Sequence, residues 1–210
     1  MPDVVLPALD FPMDAIRHAY GAQAERYIEL FGSTTQVDAD DLALIARHLS
    51  IKPGVVLDVG CGPGHLTEHL RSLGIDAIGI DLVPEFIEHA RRAHPLGRFQ
   101  LGSMDRLPVP DHSVIGILAW YSLIHLAPND LDGVLSEFRR ALAPAGTLVT
   151  GFFDGDEVAP FEHKVVTAWF WPLDEFSARL RRAGFTEVER VTRSAQHGAR
   201  PHSALAAIAG

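Results

Sequence analysis

Three glycines at alternate positions follow an acidic residue and mark the stretch of the chain best suited to hold a ligand. Asp58 precedes Gly60, Gly62 and Gly64. Glycine lets the backbone approach a ligand closely and adopt conformations that are closed to other residues. A carboxylate just before such a loop suits a ligand with an ammonium group or hydrogen-bond donors, whereas it would repel a pyrophosphate. The spacing therefore indicates a binding loop for a ligand that carries donors or positive charge.

A second acid supports a nucleoside-like ligand, and the glycine spacing disfavours a dinucleotide. Asp81 stands at the end of the next predicted strand, where doubly wound folds place an acid that accepts hydrogen bonds from ribose hydroxyls. A dinucleotide fingerprint G-x-G-x-x-G counted from Gly60 requires a glycine at position 65, which is His65. An NAD(P)-linked oxidoreductase is thus the weaker of the two enzyme interpretations.

Two histidines are candidates for moving a proton. His125 follows the fourth predicted strand, and His163 lies in an acidic stretch after the fifth. Imidazole titrates close to neutral pH and can take a proton from a hydroxyl or amine acceptor. A structural, hydrogen-bonded role for His125 and a position for His163 in a surface loop are the alternatives.

The elements that position these residues follow an alternating strand and helix pattern. Residues 55–59 form an apolar run typical of a buried parallel strand, and Leu66, Leu70 and Leu73 mark the helix after the glycines. We predict further strands over 75–80, 99–101, 114–119, 147–153, 186–194 and 202–208, and an edge strand or lid over 165–171. We predict further helices over 14–31, 38–49, 84–94, 130–142 and 172–183.

Residues Asp58 to Gly64 resemble motif I of the class I methyltransferases that depend on S-adenosylmethionine (SAM). The stretch from Gly102 to Pro108 is similar to the adenine-binding loop of the small-molecule methyltransferases related to ubiquinone and menaquinone biosynthesis. The resemblance implies an α/β, Rossmann-like sheet of seven mostly parallel strands with helices on both faces and an antiparallel last strand. It also implies two regions: an amino-terminal cap over residues 1–37 and a SAM-binding domain over residues 38–210.

The same resemblance implies which residues bind SAM, although one position departs from the family. The related enzymes usually have Asp after the glycine of the adenine loop, whereas this chain has Ser103, so that Asp105 is an alternative partner for the adenine. Tyr20 is expected to close the pocket, with Tyr27 as the other candidate. The full set of expected SAM-binding residues is Tyr20, Asp58, Gly60, Cys61, Gly62, Gly64, Asp81, Leu82, Ser103, Met104, Asp105, Ala119, Trp120 and Tyr121.

Composition limits the partners of the chain. Its formal charge is −9 over 210 residues, which argues against nucleic acid because phosphate binding needs clustered Lys and Arg. Cys61 is the only cysteine, so no intrachain disulfide forms, and neither a signal peptide nor a membrane span is apparent. We expect a cytoplasmic protein with no metal site, while the oligomeric state stays open.

The expected function is transfer of the SAM methyl group to a small-molecule acceptor, with S-adenosylhomocysteine (SAH) as product. Ala119-Trp120-Tyr121-Ser122 stands where enzymes that methylate amide or base nitrogens carry an Asn-Pro-Pro-Tyr motif, which slightly favours O-methylation. Acceptor-binding residues are expected in the amino-terminal helices and in residues 154–171. A SAM-binding regulatory module without turnover is the alternative outside catalysis.

Overall fold

The central element is a seven-stranded sheet with strand order β3-β2-β1-β4-β5-β9-β8. A computed structural model describes residues 12–195 and 200–210. The strands of this sheet are β1 (Val55–Val59), β2 (Asp76–Asp81), β3 (Arg98–Leu101), β4 (Val114–Trp120), β5 (Leu142–Phe153), β8 (Phe185–Arg193) and β9 (His202–Ala209). Neighbours from β3 to β5 pair in parallel, whereas β9 is antiparallel to both β5 and β8. The predicted fold class, with an antiparallel last strand, is confirmed.

Helices cover both faces of the sheet, because successive strand residues point to opposite sides. Leu57 and Val59 of β1 belong to one apolar core, whereas Val56, on the opposite face of the strand, belongs to the other. The helices are α1 (Pro12–Gly21), α2 (Ala24–Phe31), α3 (Ala39–Leu49), α4 (His65–Ser72), α5 (Pro84–Ala93), α6 (Pro128–Ala141) and α7 (Leu173–Arg182). Helices α6 and α7 pack on the first face, and α3 and α4 pack on the second.

The amino-terminal segment differs from the single helix predicted over residues 14–31. The helical segment is interrupted after Gly21 and so forms two helices, α1 and α2, with Ala22-Gln23 as the turn between them. Gly21 disfavours a continuous helix, and its Cα faces the carboxylate of Glu85 on α5, where a Cβ would come within 3.2 Å. The single-helix prediction is therefore wrong. Residues 1–11 of the predicted cap lie outside the described residues, and the division into cap and domain stays a prediction.

A small second sheet covers the acidic stretch after β5. Strands β6 (Ala159–Phe161) and β7 (Ala168–Phe170) pair antiparallel, which places a strand inside a stretch that showed no sequence periodicity. The Trp169 N–H donates to the Ile124 carbonyl at 2.8 Å and ties this sheet to the segment after β4. The prediction of an edge strand or lid over 165–171 is met by β7, in a separate sheet.

Candidate functional site

The carboxyl ends of β1, β2 and β4 meet at one edge of the sheet, because these three strands are parallel neighbours. A cavity lies there, beneath α1 and α2 and beside the start of α5. Its described lining residues are Met13, Ile16, Tyr20, Tyr27, Gly60, Gly62, Asp81, Leu82, Val83, Phe86, Met104, Trp120, Tyr121, Ser122, His125 and Leu126. In open α/β sheets this edge is where ligands bind.

The glycine loop needs glycine at the cavity for steric reasons. Gly60 has φ +75°, and a Cβ there would lie 2.3 Å from Cβ of Ser122. Gly62 also has a positive φ, and its N–H donates to the Asp81 carboxylate at 2.8 Å. The loop is therefore held against β2 on one side and against the segment after β4 on the other.

Asp81 is buried, and it is the one carboxylate among the described residues that line the cavity. Its second oxygen accepts from the Val83 N–H at 2.9 Å. Burial raises the pKa of this carboxyl to about 6, although the backbone hydrogen bonds act in the opposite direction. Each carboxylate oxygen keeps a second lone pair, so Asp81 can still accept hydrogen bonds from ligand hydroxyls.

Asp58 lies beneath the loop and does not line the cavity. Its carboxylate accepts a 2.6 Å hydrogen bond from the Thr67 hydroxyl. Complete burial, together with the charge of Asp81, raises the pKa of Asp58 to about 7, against the hydrogen bonds from Thr67. The assignment of Asp58 to the cofactor stays a prediction, and the contact that the structure shows is with α4.

Cys61 and Gly64 pack the loop against α5 and β3. The Cys61 side chain lies in a small core with Ile87, Ala90 and Phe99. Gly64 begins α4 in a left-handed conformation, and a Cβ there would come within 2.9 Å of both Phe99 and Ala90. Neither residue lines the cavity, so their assignments also stay predictions.

His125 and Tyr20 are joined across the cavity by a hydrogen bond. The His125 Nδ1 lies 2.8 Å from the Thr167 carbonyl, and its Nε2 lies 2.7 Å from the Tyr20 hydroxyl. Because a carbonyl only accepts, the proton of the neutral ring is on Nδ1 and the lone pair on Nε2 accepts from Tyr20. Burial lowers the pKa of His125, against the bond to Thr167, which favours this neutral form.

His163 stands behind His125, away from the cavity wall. The two ring centroids are 5.4 Å apart, and Nδ1 of His163 is buried without a hydrogen-bond partner among residues 12–195 and 200–210. Burial lowers the pKa of His163 to about 4, and His125, Arg200 and Lys164 add to this effect. The structure thus brings one of the two candidate bases to the cavity.

The other predicted residues divide between wall and surroundings. Leu82, Met104, Trp120 and Tyr121 line the cavity, whereas Ala119 is buried and accepts a hydrogen bond from the Thr150 hydroxyl. Two positions of the adenine loop also fall outside the wall. Ser103 has a buried hydroxyl without a partner in the described part of the chain, and Asp105 is exposed and lines a neighbouring cavity.

Several lining residues were not predicted: Met13, Ile16, Val83, Phe86, Ser122 and Leu126, together with Tyr27, which was only an alternative. Ser122 faces Gly60 from another strand end, so no local pattern marks it. Val83 and Phe86 follow Asp81 at the start of α5, and their nearness to that acid was a usable signal. The remaining residues depend on how α1 and α2 fold over the sheet.

The chemistry of the wall fits SAM better than a dinucleotide. The described lining residues include Asp81 and five aromatic side chains but no Lys or Arg to receive a pyrophosphate. Within the described ranges, the buried Ser122 hydroxyl has no hydrogen-bond partner, which leaves it free for a polar ligand. Aromatic faces and a carboxylate suit the positive charges of SAM.

The described residues hold no group of three or more His, Cys, Asp and Glu arranged to bind a metal. They also contain no helix with the length and hydropathy that a membrane crossing needs.

Comparison with known proteins identifies the family. Residues 56–146 match a family model described as a methyltransferase domain. The chain is 30% identical over 183 residues to a malonyl-[acyl-carrier protein] O-methyltransferase from Erwinia billingiae, covering 87% of this chain and 68% of that protein. It is 32% identical over 144 residues to the Yersinia pestis protein of the same name, covering 69% of this chain and 52% of the relative. The chain thus spans between about half and two thirds of these relatives.

Solved structures share the fold at lower identity. The 1,6-didemethyltoxoflavin-N1-methyltransferase of Burkholderia thailandensis, solved with SAH, aligns with a TM-score of 0.80 at 22% identity over 99% of this chain and 93% of that chain. The [4+2]-cyclase SpnF aligns with a TM-score of 0.78 at 19% identity over 92% of this chain and 95% of that one. The sheet and the cavity at its carboxyl edge agree with the matches found by sequence. The chain belongs to the class I SAM-dependent methyltransferases, whose cofactor and methyl donor is SAM.

Proposed function

We propose that this protein transfers the methyl group of SAM to an oxygen atom of a small-molecule acceptor. The observation that carries the proposal is the pair formed by Tyr20 and His125 in the cavity wall. Its geometry leaves a neutral imidazole with its basic nitrogen directed at a tyrosine hydroxyl. A hydroxyl acceptor must lose a proton when it is methylated, and this pair can receive that proton.

The proton route follows from the donor and acceptor atoms. As the acceptor oxygen gains the methyl group, its hydroxyl proton passes to Oη of Tyr20 while the Tyr20 proton passes to Nε2 of His125. The Thr167 carbonyl then holds the resulting imidazolium through Nδ1–H. Bound SAM supplies a methyl group that its positive sulfur already activates, so the protein mainly orients the reactants and excludes water.

The SAM subsites are proposed from the wall residues. Asp81, with free lone pairs in a buried position, would accept from the ribose hydroxyls. Met104 would lie along the adenine, with the unpartnered Ser103 hydroxyl beside it. Ser122, whose hydroxyl also lacks a partner in the described ranges, would face the methionine part of SAM next to Gly60.

Two kinds of support favour oxygen as the accepting atom. Two of the relatives are named malonyl-[acyl-carrier protein] O-methyltransferases. An amine acceptor that is already neutral needs no base, whereas this cavity presents one. A carboxylate acceptor also needs no base, so the dependence on His125 separates a hydroxyl from both other classes.

The test measures SAH formation against a panel of small phenols, alcohols, carboxylates and amines, including a malonyl thioester. For a hydroxyl acceptor we expect His125→Gln to lower kcat by about 10²–10⁴-fold, the usual range for a general base, with little change in SAM affinity. His163→Gln is the matched variant, because it removes a neighbouring imidazole that is outside the wall. Equal loss in both variants, or full activity in His125→Gln, would contradict the proposed base.

A SAM-binding protein without turnover is the competing function. One observation favours it: this chain has Ser103 where the related enzymes usually have Asp in the adenine loop. The fold does not decide, since one solved structure of the same fold is named a cyclase. This alternative predicts SAM binding in a calorimeter together with no SAH formation on any member of the panel.

A further inference from the structure

Tyr121 occupies a strained position in the cavity wall. Its φ is +53°, a left-handed conformation that side chains other than glycine rarely adopt. The backbone N–H donates to the Gly151 carbonyl at 3.0 Å, and the ring packs edge-on against Trp120 and Phe153. Strain of this kind persists only where surrounding contacts enforce it, and it concentrates at functional sites.

A buried polar chain leads from the tip of Tyr121 to the protein surface. The Tyr121 hydroxyl contacts Nδ1 of His202, and Nε2 of His202 lies 3.4 Å from the Asp41 carboxylate. Asp41 forms a two-pronged ion pair with Arg193, at 2.9 and 2.5 Å. Asp38 also lies 3.4 Å from the Arg193 guanidinium, at the exposed end of this series of polar contacts.

The direction of each hydrogen bond follows from the charges. The pKa of Asp41 lies below its usual value, because the bonds to His202 and Arg193 outweigh the effect of burial. Nε2 of His202 makes no hydrogen bond within the described residues, but the ionised Asp41 carboxylate 3.4 Å away favours the ring proton on Nε2, so that Nδ1 accepts from Tyr121. Burial raises the pKa of Tyr121, and the charge of Asp41 adds to this, so the phenol remains a donor.

The contacts of Asp41 are not the only ones that join α3 to the last strands. A second cluster does so as well, since Arg47 and His48 on α3 pair with Glu189 on β8. The Asp41 cluster differs in being buried: the side chains of Asp41 and His202 are each 4% exposed. Buried charges cost desolvation energy and are weak evidence for stability, and their best-attested use is to specify one conformation.

We propose that Asp41, His202 and Arg193 are positioning residues that hold the Tyr121 ring as a fixed wall of the SAM site. Asp41 orients His202, and His202 anchors the phenol against the strain of the left-handed backbone. The inference rests on this cavity being the SAM site, as proposed above. Its consequence is that a change at Asp41, in α3, alters the SAM site without touching the ligand.

Fluorine NMR of protein labelled with 3-fluorotyrosine tests the anchoring without any ligand. The chain has three tyrosines, so three resonances are expected, and Tyr121→Phe assigns one of them. Asp41→Asn should shift or broaden the Tyr121 resonance and leave those of Tyr20 and Tyr27 in place. Glu189→Gln is the matched control, because it removes the other ion pair between α3 and β8 and should leave all three unchanged.

Calorimetric SAM binding tests the functional consequence. We expect Asp41→Asn and Tyr121→Phe each to weaken SAM binding by about tenfold, the value of about one hydrogen bond, and the double variant to lose no more than either alone. Tyr121→Phe removes a single hydroxyl and tests the tether even if Asp41→Asn does not fold. An unmoved Tyr121 resonance in folded Asp41→Asn, unchanged SAM affinity in Tyr121→Phe, or additive losses would overturn the proposal. Failure of the unmodified protein to bind SAM would instead refute the proposed site.

Discussion

Replacing Gly60 by alanine gives the sharpest test of the site, because the chain offers a matched control. Gly60 and Gly74 both adopt positive φ, +75° and +81°. At Gly74 a Cβ would have nothing within 4 Å, whereas at Gly60 it would lie 2.3 Å from Cβ of Ser122. Both variants pay for a left-handed alanine, and only Gly60→Ala adds a collision in the cavity wall.

The expected magnitudes follow from these contacts. A left-handed residue other than glycine costs about 1–2 kcal/mol, so Gly74→Ala should lower Tm by about 2–8 °C and leave SAM affinity unchanged. Carbon atoms pack at about 3.5–4.0 Å, so in Gly60→Ala the loop and Ser122 must separate by over about 1 Å. A displacement of that size would break at least one hydrogen bond between the loop and its ligand, so we expect SAM affinity to fall by about tenfold.

Thermal unfolding and titration calorimetry on both variants provide the measurement. The reasoning predicts similar or larger destabilisation in Gly60→Ala and a difference in SAM affinity that stability does not explain. If Gly60→Ala binds SAM as tightly as Gly74→Ala, the cavity beside Gly60 is not the SAM site.

Four further predictions concern the buried carboxyls and Tyr20. Burial raises the pKa of Asp81 to about 6 and of Asp58 to about 7, so both are largely protonated in the free protein at acid pH. SAM affinity should therefore rise as pH increases through 6–7, with protons released on binding, and calorimetry in buffers of different ionisation enthalpy measures this; a flat profile from pH 5 to 8 would contradict it. Because the folded protein holds these protons to higher pH than the unfolded chain, the resulting stability is fully present below about pH 4 and is lost progressively as pH rises to about 7, so Tm of the free protein should fall between about pH 4 and 7. Thr67→Val removes the donor to Asp58 and should cost about 1–3 kcal/mol in urea unfolding and move the midpoint of the affinity profile to higher pH, whereas an unmoved midpoint would exclude Asp58 from the titration. Tyr20→Phe keeps the ring but removes the hydroxyl at His125, and it should lower kcat far more than SAM affinity; an equal loss of both would place Tyr20 in cofactor binding alone.

The fold was predictable because its signals are local. The apolar run before Gly60 and the stripe after Gly64 are complete within about twenty residues, and each predicted strand of the main sheet is present. The antiparallel position of β9 was expected through the resemblance, which covers whole topologies. The prediction that failed was the single helix over 14–31, which ends at Gly21 and resumes at Ala24.

The site was predictable only where a single segment carries it. Gly60, Gly62 and Asp81 line the cavity because a strand end and the turn after it suffice to place them there. The Tyr20 and His125 hydrogen bond joins residues 105 positions apart, which no periodicity records. His125 and His163 were both candidate bases in the sequence, and the structure places only His125 in the cavity wall.

The same contrast explains why the cofactor is legible and the acceptor is not. At the proposed site SAM would contact backbone amides and strand ends, whose positions follow from the sheet, so a short motif is enough to predict them. We expect the acceptor to meet side chains from α1 and α2, which reach the cavity from a part of the chain far from the glycine loop. The Tyr121 chain shows the same dependence, since α3, β4, β8 and β9 all contribute to it. A substitution that changes which acceptor is methylated can therefore lie outside the glycine loop while motif I stays unchanged. The acceptor has to be found by assaying candidate compounds rather than by comparing glycine loops.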